Sequence, residues 1–349
     1  MKLGLLGFPK VGKKTLFELL TGKEADLSKG IGLAYVRDER FNQLVKMYKP
    51  KKTVPATLEF SIIPDIGEQN NTKTFQTIQD VDVLCYVTRA FKDDTVFHIK
   101  GSMDPARDIE MVNDELILND LLFIEKRSSK LKKEFTKKSA QSKLNEEKLL
   151  LRFKQHLEGG KPLRVLALSD EEKKFVKSCP FLTVKNMIVV LNVGEDDITD
   201  DKLLETLKKR FADQNMEWAQ VSAKLEKEIS VMESEEERQD FLKEMGIGVP
   251  ALEKLTILSY KALGLITFFT VGKDEVRAWM IPQGSRAPEA ARAVHTDMER
   301  GFIRAQVVKY DDLIKLGSEK NVKESGKYML KGKDYIVEDG DILNFLFNV

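Results

Sequence analysis

The chain has 349 residues, 42% of them hydrophobic and 32% charged, which supports globular folding and leaves room for two or three domains with real cores. Its net charge of +1 means that any contact with nucleic acid has to come from local basic clusters. Cys85 and Cys179 are too few and too far apart for a disulfide framework, His98, His156 and His295 are scattered without metal spacing, and no apolar run reaches membrane-spanning length, so a cytoplasmic protein with no metal site and no membrane partner is expected.

In chain order, apolar residues 3–6 run into a glycine-bounded loop, residues 7–12, and then into the periodic Leu16, Phe17, Leu19 and Leu20. Strand, phosphate-sized loop and helix in direct succession are the setting that a P-loop needs. Backbone N–H groups from Val11 to Thr15 then face phosphate oxygens, the helix start adds its positive dipole end, and Lys13 adds a full charge. Gly7, Lys10, Val11, Gly12, Lys13, Lys14 and Thr15 are therefore the candidate phosphate-binding residues. The motif asks for Ser or Thr directly after the lysine; here Lys14 stands in that place and Thr15 follows one position late.

Residues 23–33 are polar and glycine-containing and read as a loop; a helix is predicted over 37–47, punctuated by residues 49–52. Residues 55–63 form a strand pattern closed by a loop that runs on through the polar residues 68–73, and residues 81–87 form a second buried strand. Strands alternating with helices predict a parallel α/β sheet with ligand sites at the carboxyl ends of its strands.

Composition shifts near Asp108. From 109 to 157 there is neither proline nor glycine, and Leu116, Leu121, Ile124, Leu131 and Phe135, then Leu144, Leu150, Phe153 and Leu157, recur at helical spacing. Two long helices turning near 138–142 as an antiparallel hairpin are expected. Bases outnumber acids toward its tip, where Lys132, Lys133, Lys137 and Lys138 are candidate contacts to RNA or a ribosome. A solvated helical surface with ordinary lysines explains the same pattern equally well.

A polar helix over 169–178 precedes a buried strand over 186–192, which ends in Asn192-Val-Gly-Glu195. A helix over 203–211 and a short strand over 218–221 follow, and the strand ends in Ser222-Ala-Lys224. Two polar motifs at the ends of core strands, downstream of a phosphate loop, are what a purine pocket requires. Asn192, Val193, Glu195, Ser222, Ala223 and Lys224 are the candidate base-binding residues. From 265 onward, strands near 266–270, 278–281 and 306–310, a helix over 288–294 and a final apolar run describe a small α+β domain.

With these residues in hand, the chain resembles the YchF / Obg-like ATPase family of P-loop proteins from end to end. The longest matches are Leu-Gly-Leu-Ile-Thr-Phe-Phe-Thr270, Val-Arg-Ala-Trp279, His-Thr-Asp297, Gly-Phe-Ile-Arg304, Tyr-Asp-Asp312 and Gly-Lys-Asp-Tyr-Ile-Val337, joined by Asp-Pro-Ala-Arg-Asp-Ile-Glu110. The resemblance implies an α/β fold with three parts. They are a P-loop G domain with a parallel-rich sheet in two segments (1–110 and 161–264), an antiparallel α-helical coiled-coil insert (111–160) and a C-terminal β-grasp TGS domain (265–349). It further implies a purine nucleotide, ATP or GTP, and a cytoplasmic partner connected with ribosomes or RNA; a monomer is expected. Asn192-Val-Gly-Glu195 lacks the Lys and Asp of the guanine motif, and the family's Asn-x-x-Glu makes ATP the first choice.

The departures from the family lie at the phosphate end. Lys10 replaces the loop's Asn, and Lys14 replaces the Ser whose hydroxyl ligates Mg²⁺, a task an ammonium cannot perform. Ile62 stands where the Asp of Asp-x-x-Gly belongs and Asp65 where its Gly belongs, and the threonine element of the first switch is missing between Asp26 and Leu33. Asp65 and Asp82 themselves read as ordinary surface or strand-edge acids. Nucleotide binding with doubtful Mg²⁺ and weak or absent hydrolysis is the expectation, beside two alternatives: an active ATPase or GTPase with unusual switches, and a nucleotide-independent RNA-binding paralogue.

Overall fold

Leu3, Leu5 and Leu6 are shut away from solvent because the strand that carries them, β1 (Lys2–Leu6), runs inside a six-stranded sheet. The computed structural model describes residues 1–22, 30–66, 71–93, 95–133, 140–232 and 234–348. In chain order β1 is followed by α1 (Lys13–Thr21), β2 (Ile31–Tyr35), α2 (Glu39–Tyr48), β3 (Lys52–Val54), β4 (Thr57–Ile62), α3 (Asn71–Gln79) and β5 (Val83–Ala90). Then come α4 (Pro105–Lys133), α5 (Ala140–Glu158), α6 (Asp170–Lys177), β6 (Asn186–Val193), α7 (Lys202–Arg210), β7 (Met216–Val221), α8 (Ala223–Ser230), α9 (Glu235–Glu244) and α10 (Ala251–Leu263). The first sheet has the order β2-β4-β1-β5-β6-β7, and β4, β1, β5, β6 and β7 pair in parallel. All of β5 is buried, as expected of a central parallel strand covered on both faces.

The chain divides into two compact units, Met1–Leu33 with Glu59–Ser259, and Ala34–Leu58 with Tyr260–Val349. The first unit includes the helical arm. Along α4 and α5, Leu116, Ile124, Leu131, Leu150, Phe153 and Leu157 are buried, matching the predicted periodicity, and Phe123 and Phe153 meet Phe181 edge-on. Leu144 is exposed instead. Asp120 on α4 ties the arm's base to the turn that leads into β6 by accepting from Leu182 N (2.7 Å), Thr183 N (2.9 Å) and Thr183 Oγ1 (2.6 Å). Several of the arm's bases are already paired: Arg127 with Glu146 at 2.6 Å, and Lys154 with Glu125 at 3.6 Å. Phe135 and residues 138–139 of the turn predicted near 138–142 lie outside the described residues, and its residues 140–142 belong to α5 instead.

Three elements differ from the sequence reading. Residues 31–35 are a strand, not the end of a loop: Gly32 and Ala34 face inward while Ile31, Leu33 and Tyr35 are exposed, so the usual hydrophobic signal is inverted. Only a residue without Cβ fits at Gly32, because a Cβ there comes within 2.6 Å of Thr21 Cβ. The stretch read as a polar loop ends early, because α3 starts at Asn71.

The third difference concerns residues 34–58, which the sequence places in the first G-domain segment and which cluster with the C-terminal residues. In this second unit the strands are β8 (Leu265–Thr270), β9 (Glu275–Pro282), β10 (Phe302–Lys309), β11 (Met329–Lys331) and β12 (Asp341–Phe347). Its helices are α11 (Ala287–Val294), α12 (Thr296–Arg300), α13 (Tyr310–Leu316) and α14 (Glu319–Glu324). The six-stranded sheet runs β11-β10-β12-β8-β9-β3, with β3 added in parallel to β9 so that Lys52 faces Glu275 and Val54 faces Arg277. Phe41 and Leu44 of α2 are buried with Phe269, Val276, Val308 and Leu313, and these shared apolar contacts assign the segment to this unit.

Candidate functional site

The loop between β1 and α1 is built around two glycines. A Cβ at Gly7 comes within 2.6 Å of Val87 O, and one at Gly12 comes within 2.3 Å of Asn192 Nδ2; Gly12 also has φ 92. Lys10 is left-handed as well, with φ 62, a conformation that a residue with a long side chain adopts at a cost. Helix α1 begins at Lys13 with no side-chain cap and no acid in its first turn, whereas Asp38, Ser169, Ser222 and Ser234 cap α2, α6, α8 and α9. Its first-turn N–H groups have no intrahelical acceptor, which is the arrangement that receives an anion.

Lys13 is buried at 6% exposure. Its ammonium donates to Ile63 O at 2.8 Å and Gly7 O at 3.3 Å, and it pairs with Asp65 Oδ1 at 2.5 Å. The reading of Asp65 as an ordinary surface acid is thereby corrected: the end of β4 lies beside the phosphate loop, and Ile66 N donates to Gly7 O at 3.4 Å. Asp82 does behave as a strand-edge acid, accepting from Lys2 N at 2.8 Å.

The base motif is joined to the phosphate loop through one side chain. Asn192, at the end of β6 and 3% exposed, donates from Nδ2 to Val11 O (2.9 Å) and accepts at Oδ1 from Ala223 N (3.0 Å). Val193 beside it is buried, and Ser222 starts α8 by accepting from Leu225 N at 3.4 Å. Glu195 takes Lys224 Nζ on Oε2 at 2.7 Å, while its buried Oε1 has no hydrogen-bond partner among the described residues. Ten of the candidate residues, Gly7, Val11, Gly12, Lys13, Asn192, Val193, Glu195, Ser222, Ala223 and Lys224, thus belong to the loop and the two strand ends tied together by Asn192. Lys10 and Lys14 are exposed around them and Thr15 is half-buried.

A divalent ion held through the position after Lys13 does not fit these residues. Lys14 offers only N–H donors there. A cysteine nucleophile does not fit either, since burial pushes the Cys85 thiol up to about 12. His98 packs instead, with Nε2 3.0 Å from the buried Asp108 carboxylate and Nδ1 accepting from Lys100 N at 3.2 Å.

Of the basic candidates on the arm, Lys132 and Lys133 are exposed in the last turn of α4, and Lys137 and Lys138 lie outside the described residues. In the second unit Arg277 lies over the Trp279 ring at 3.9 Å, Arg286 pairs with Asp334 at 3.4 Å and Arg292 with Glu299 at 3.7 Å, while Arg304 is exposed. The sequence signal for the missed Asp65 was its place just past the end of a strand predicted to lie in the same sheet as the loop.

Among known proteins, a family model described as YchF-GTPase_C, a protein of unknown function (DUF933), matches residues 265–348. The chain is 40% identical over 363 residues to the Ribosome-binding ATPase YchF of Bacillus subtilis (strain 168), covering 99% of each. It is 39% identical over 366 residues to Obg-like ATPase 1 of Caenorhabditis elegans, covering 100% of this chain and 92% of that protein. The solved structure of the Schizosaccharomyces pombe YchF GTPase superposes with a TM-score of 0.90 at 32% identity, covering 99% of this chain and 97% of that one.

Proposed function

The chain belongs to the YchF / Obg-like ATPase family, and from that premise we propose that it is a monomeric, cytoplasmic purine-nucleotide-binding protein that associates with ribosomes and hydrolyses its nucleotide slowly or not at all. The observation that carries the nucleotide reading is the Asn192 bridge, which sets the base motif at a fixed distance from the phosphate loop. Adenine is favoured over guanine because Asn192-Val-Gly-Glu195 lacks the Lys and Asp of the guanine motif and one Glu195 oxygen is engaged by Lys224. A single acceptor matches the exocyclic amine of adenine, whereas guanine presents two donors that ask for both carboxylate oxygens. Weak hydrolysis follows from the ammonium of Lys14 in the place of a metal-ligating hydroxyl, since phosphoryl transfer relies on a metal and positioned groups to neutralise developing charge.

Calorimetry with ATP, GTP and ADP, each in Mg²⁺ and in EDTA, tests this reading. ATP should bind more tightly than GTP and with little dependence on Mg²⁺; no binding of any of the three would remove the nucleotide site. Mg²⁺-dependent turnover at the rate of ordinary P-loop ATPases would instead support an active enzyme. The ribosome partner rests on the name of the B. subtilis relative and on the exposed Lys132 and Lys133. Salt-sensitive co-sedimentation with ribosomes should weaken when Lys132, Lys133, Lys137 and Lys138 are changed to Glu, and unchanged association would exclude the arm as the contact.

A further inference from the structure

The ammonium of Lys13 has three N–H donors, and the acceptors around it include Ile63 O, Gly7 O and Asp65 Oδ1, the last at 2.5 Å. In a P-loop the lysine reaches the β- and γ-phosphates together. Here a carboxylate stands on one side of the ammonium, supplied by the chain itself. The backbone that carries Asp65 is held beside the loop, because its neighbours are fixed. Ile63 and Ile66 are buried, Ile63 N donates to Leu5 O at 2.9 Å, Ile66 N donates to Gly7 O at 3.4 Å, and Pro64 restricts the backbone between them.

We infer that the Asp65 carboxylate stands in for the terminal phosphate of a triphosphate, so that the site selects nucleoside diphosphates over triphosphates. The inference rests on the nucleotide reading above and adds the phosphate count to it. A diphosphate leaves the Lys13–Asp65 pair intact, and its β-phosphate takes over the donor that Lys13 gives to Gly7 O, at 3.3 Å the longest of these three contacts. A triphosphate has to bring its γ-phosphate against a carboxylate of the same sign and compete with it for one buried cation, in surroundings where charges are screened less than in water. The selection belongs to this chain's own residues, Asp65 at a glycine position and Lys14 at a hydroxyl position.

The test is calorimetry of ADP and ATP in EDTA with the full-length protein, its Asp65→Asn variant and its Asp65→Gly variant, with circular dichroism to select folded protein. The unaltered chain should bind ADP at least about tenfold more tightly than ATP. In either folded variant that ratio should shrink by about tenfold, through a gain in ATP affinity larger than any gain in ADP affinity. Equal affinities for ADP and ATP in the unaltered chain, or an ADP preference that persists in both variants, overturn the inference while nucleotide binding stands. Failure of every form to bind either nucleotide overturns the nucleotide reading and the inference together.

Discussion

Asn192 holds the carbonyl of Val11 at 2.9 Å from a strand end far along the chain, so the shape of the phosphate loop depends on a residue of the base motif. Replacing Asn192 by Ala leaves Val11 O and Ala223 N without this partner in a buried place. The expected cost is about 2–6 kcal/mol of stability, since each of the two stranded buried groups costs about 1–3 kcal/mol. Denaturant unfolding should show a lower midpoint. Calorimetry should show nucleotide affinity reduced by about tenfold or more, because loop and base site lose their common anchor. A variant with unchanged affinity would mean that the bridge has no part in binding.

Lys10 occupies the left-handed region with φ 62, where Asn is tolerated better than most residues. Lys10→Asn should therefore raise stability by about 0.5–1 kcal/mol. The check is a higher denaturation midpoint with an unchanged slope. A lower midpoint would show that the exposed lysine makes a contribution larger than the backbone strain it imposes.

Burial raises the Asp120 carboxyl from its ordinary 3.8 to about 6, against the lowering effect of its bonds from Leu182 and Thr183. For a raised acid, the stabilising contribution is complete below the unfolded value of 3.8 and is lost as pH rises through about 6, because the folded state must then carry a buried charge. The stability of the protein relative to its Asp120→Asn variant should fall by about 3 kcal/mol between these limits and level off above them. Urea unfolding of both proteins across this range measures it. A rise with pH would show that the three donors outweigh desolvation.

In the second unit Asp341 is completely buried and accepts from Lys309 Nζ (2.6 Å), Tyr335 OH (2.7 Å) and Glu338 N (3.0 Å). The same surroundings, burial first, push the Tyr335 hydroxyl up to about 12. Asp341→Ala should destabilise this unit by about 2–3 kcal/mol, discounted because Lys309 is partly exposed and can regain water. Trp279 lies in this unit and Trp218 in the other, so fluorescence unfolding on a Trp218→Phe background reports the loss where it occurs. Unchanged Trp279 unfolding would remove the cluster from the account of stability.

What the sequence showed most clearly was what regular chemistry writes strongly. The β1 loop, the strand ends at Asn192 and Ser222, and the buried Leu116, Ile124, Leu131, Leu150, Phe153 and Leu157 of the arm are local patterns, and each was found in place. Strand β2 was lost because its inward side is Gly32 and Ala34, too small to register as a hydrophobic face. Strand β3 was lost because three residues bounded by Lys51 and Pro55 carry almost no pattern, and it exists through pairing with β9. Asp65 could be placed by alignment but not given a partner, because its ion pair with Lys13 joins residues that only the sheet order brings together.

The pairing of β3 with β9 bears on how the protein is made. During synthesis, residues 34–58 emerge early, yet the strands and apolar side chains that receive them belong to residues 260–349. At elongation rates of about 5–20 residues per second, α2 and β3 wait about 10–40 s for their partners, with Phe41 and Leu44 uncovered in the meantime. The wait creates a window in which a holding chaperone finds a binding site. It also means that a ribosome stalled anywhere within residues 59–259 carries a nascent chain in which neither unit can be complete.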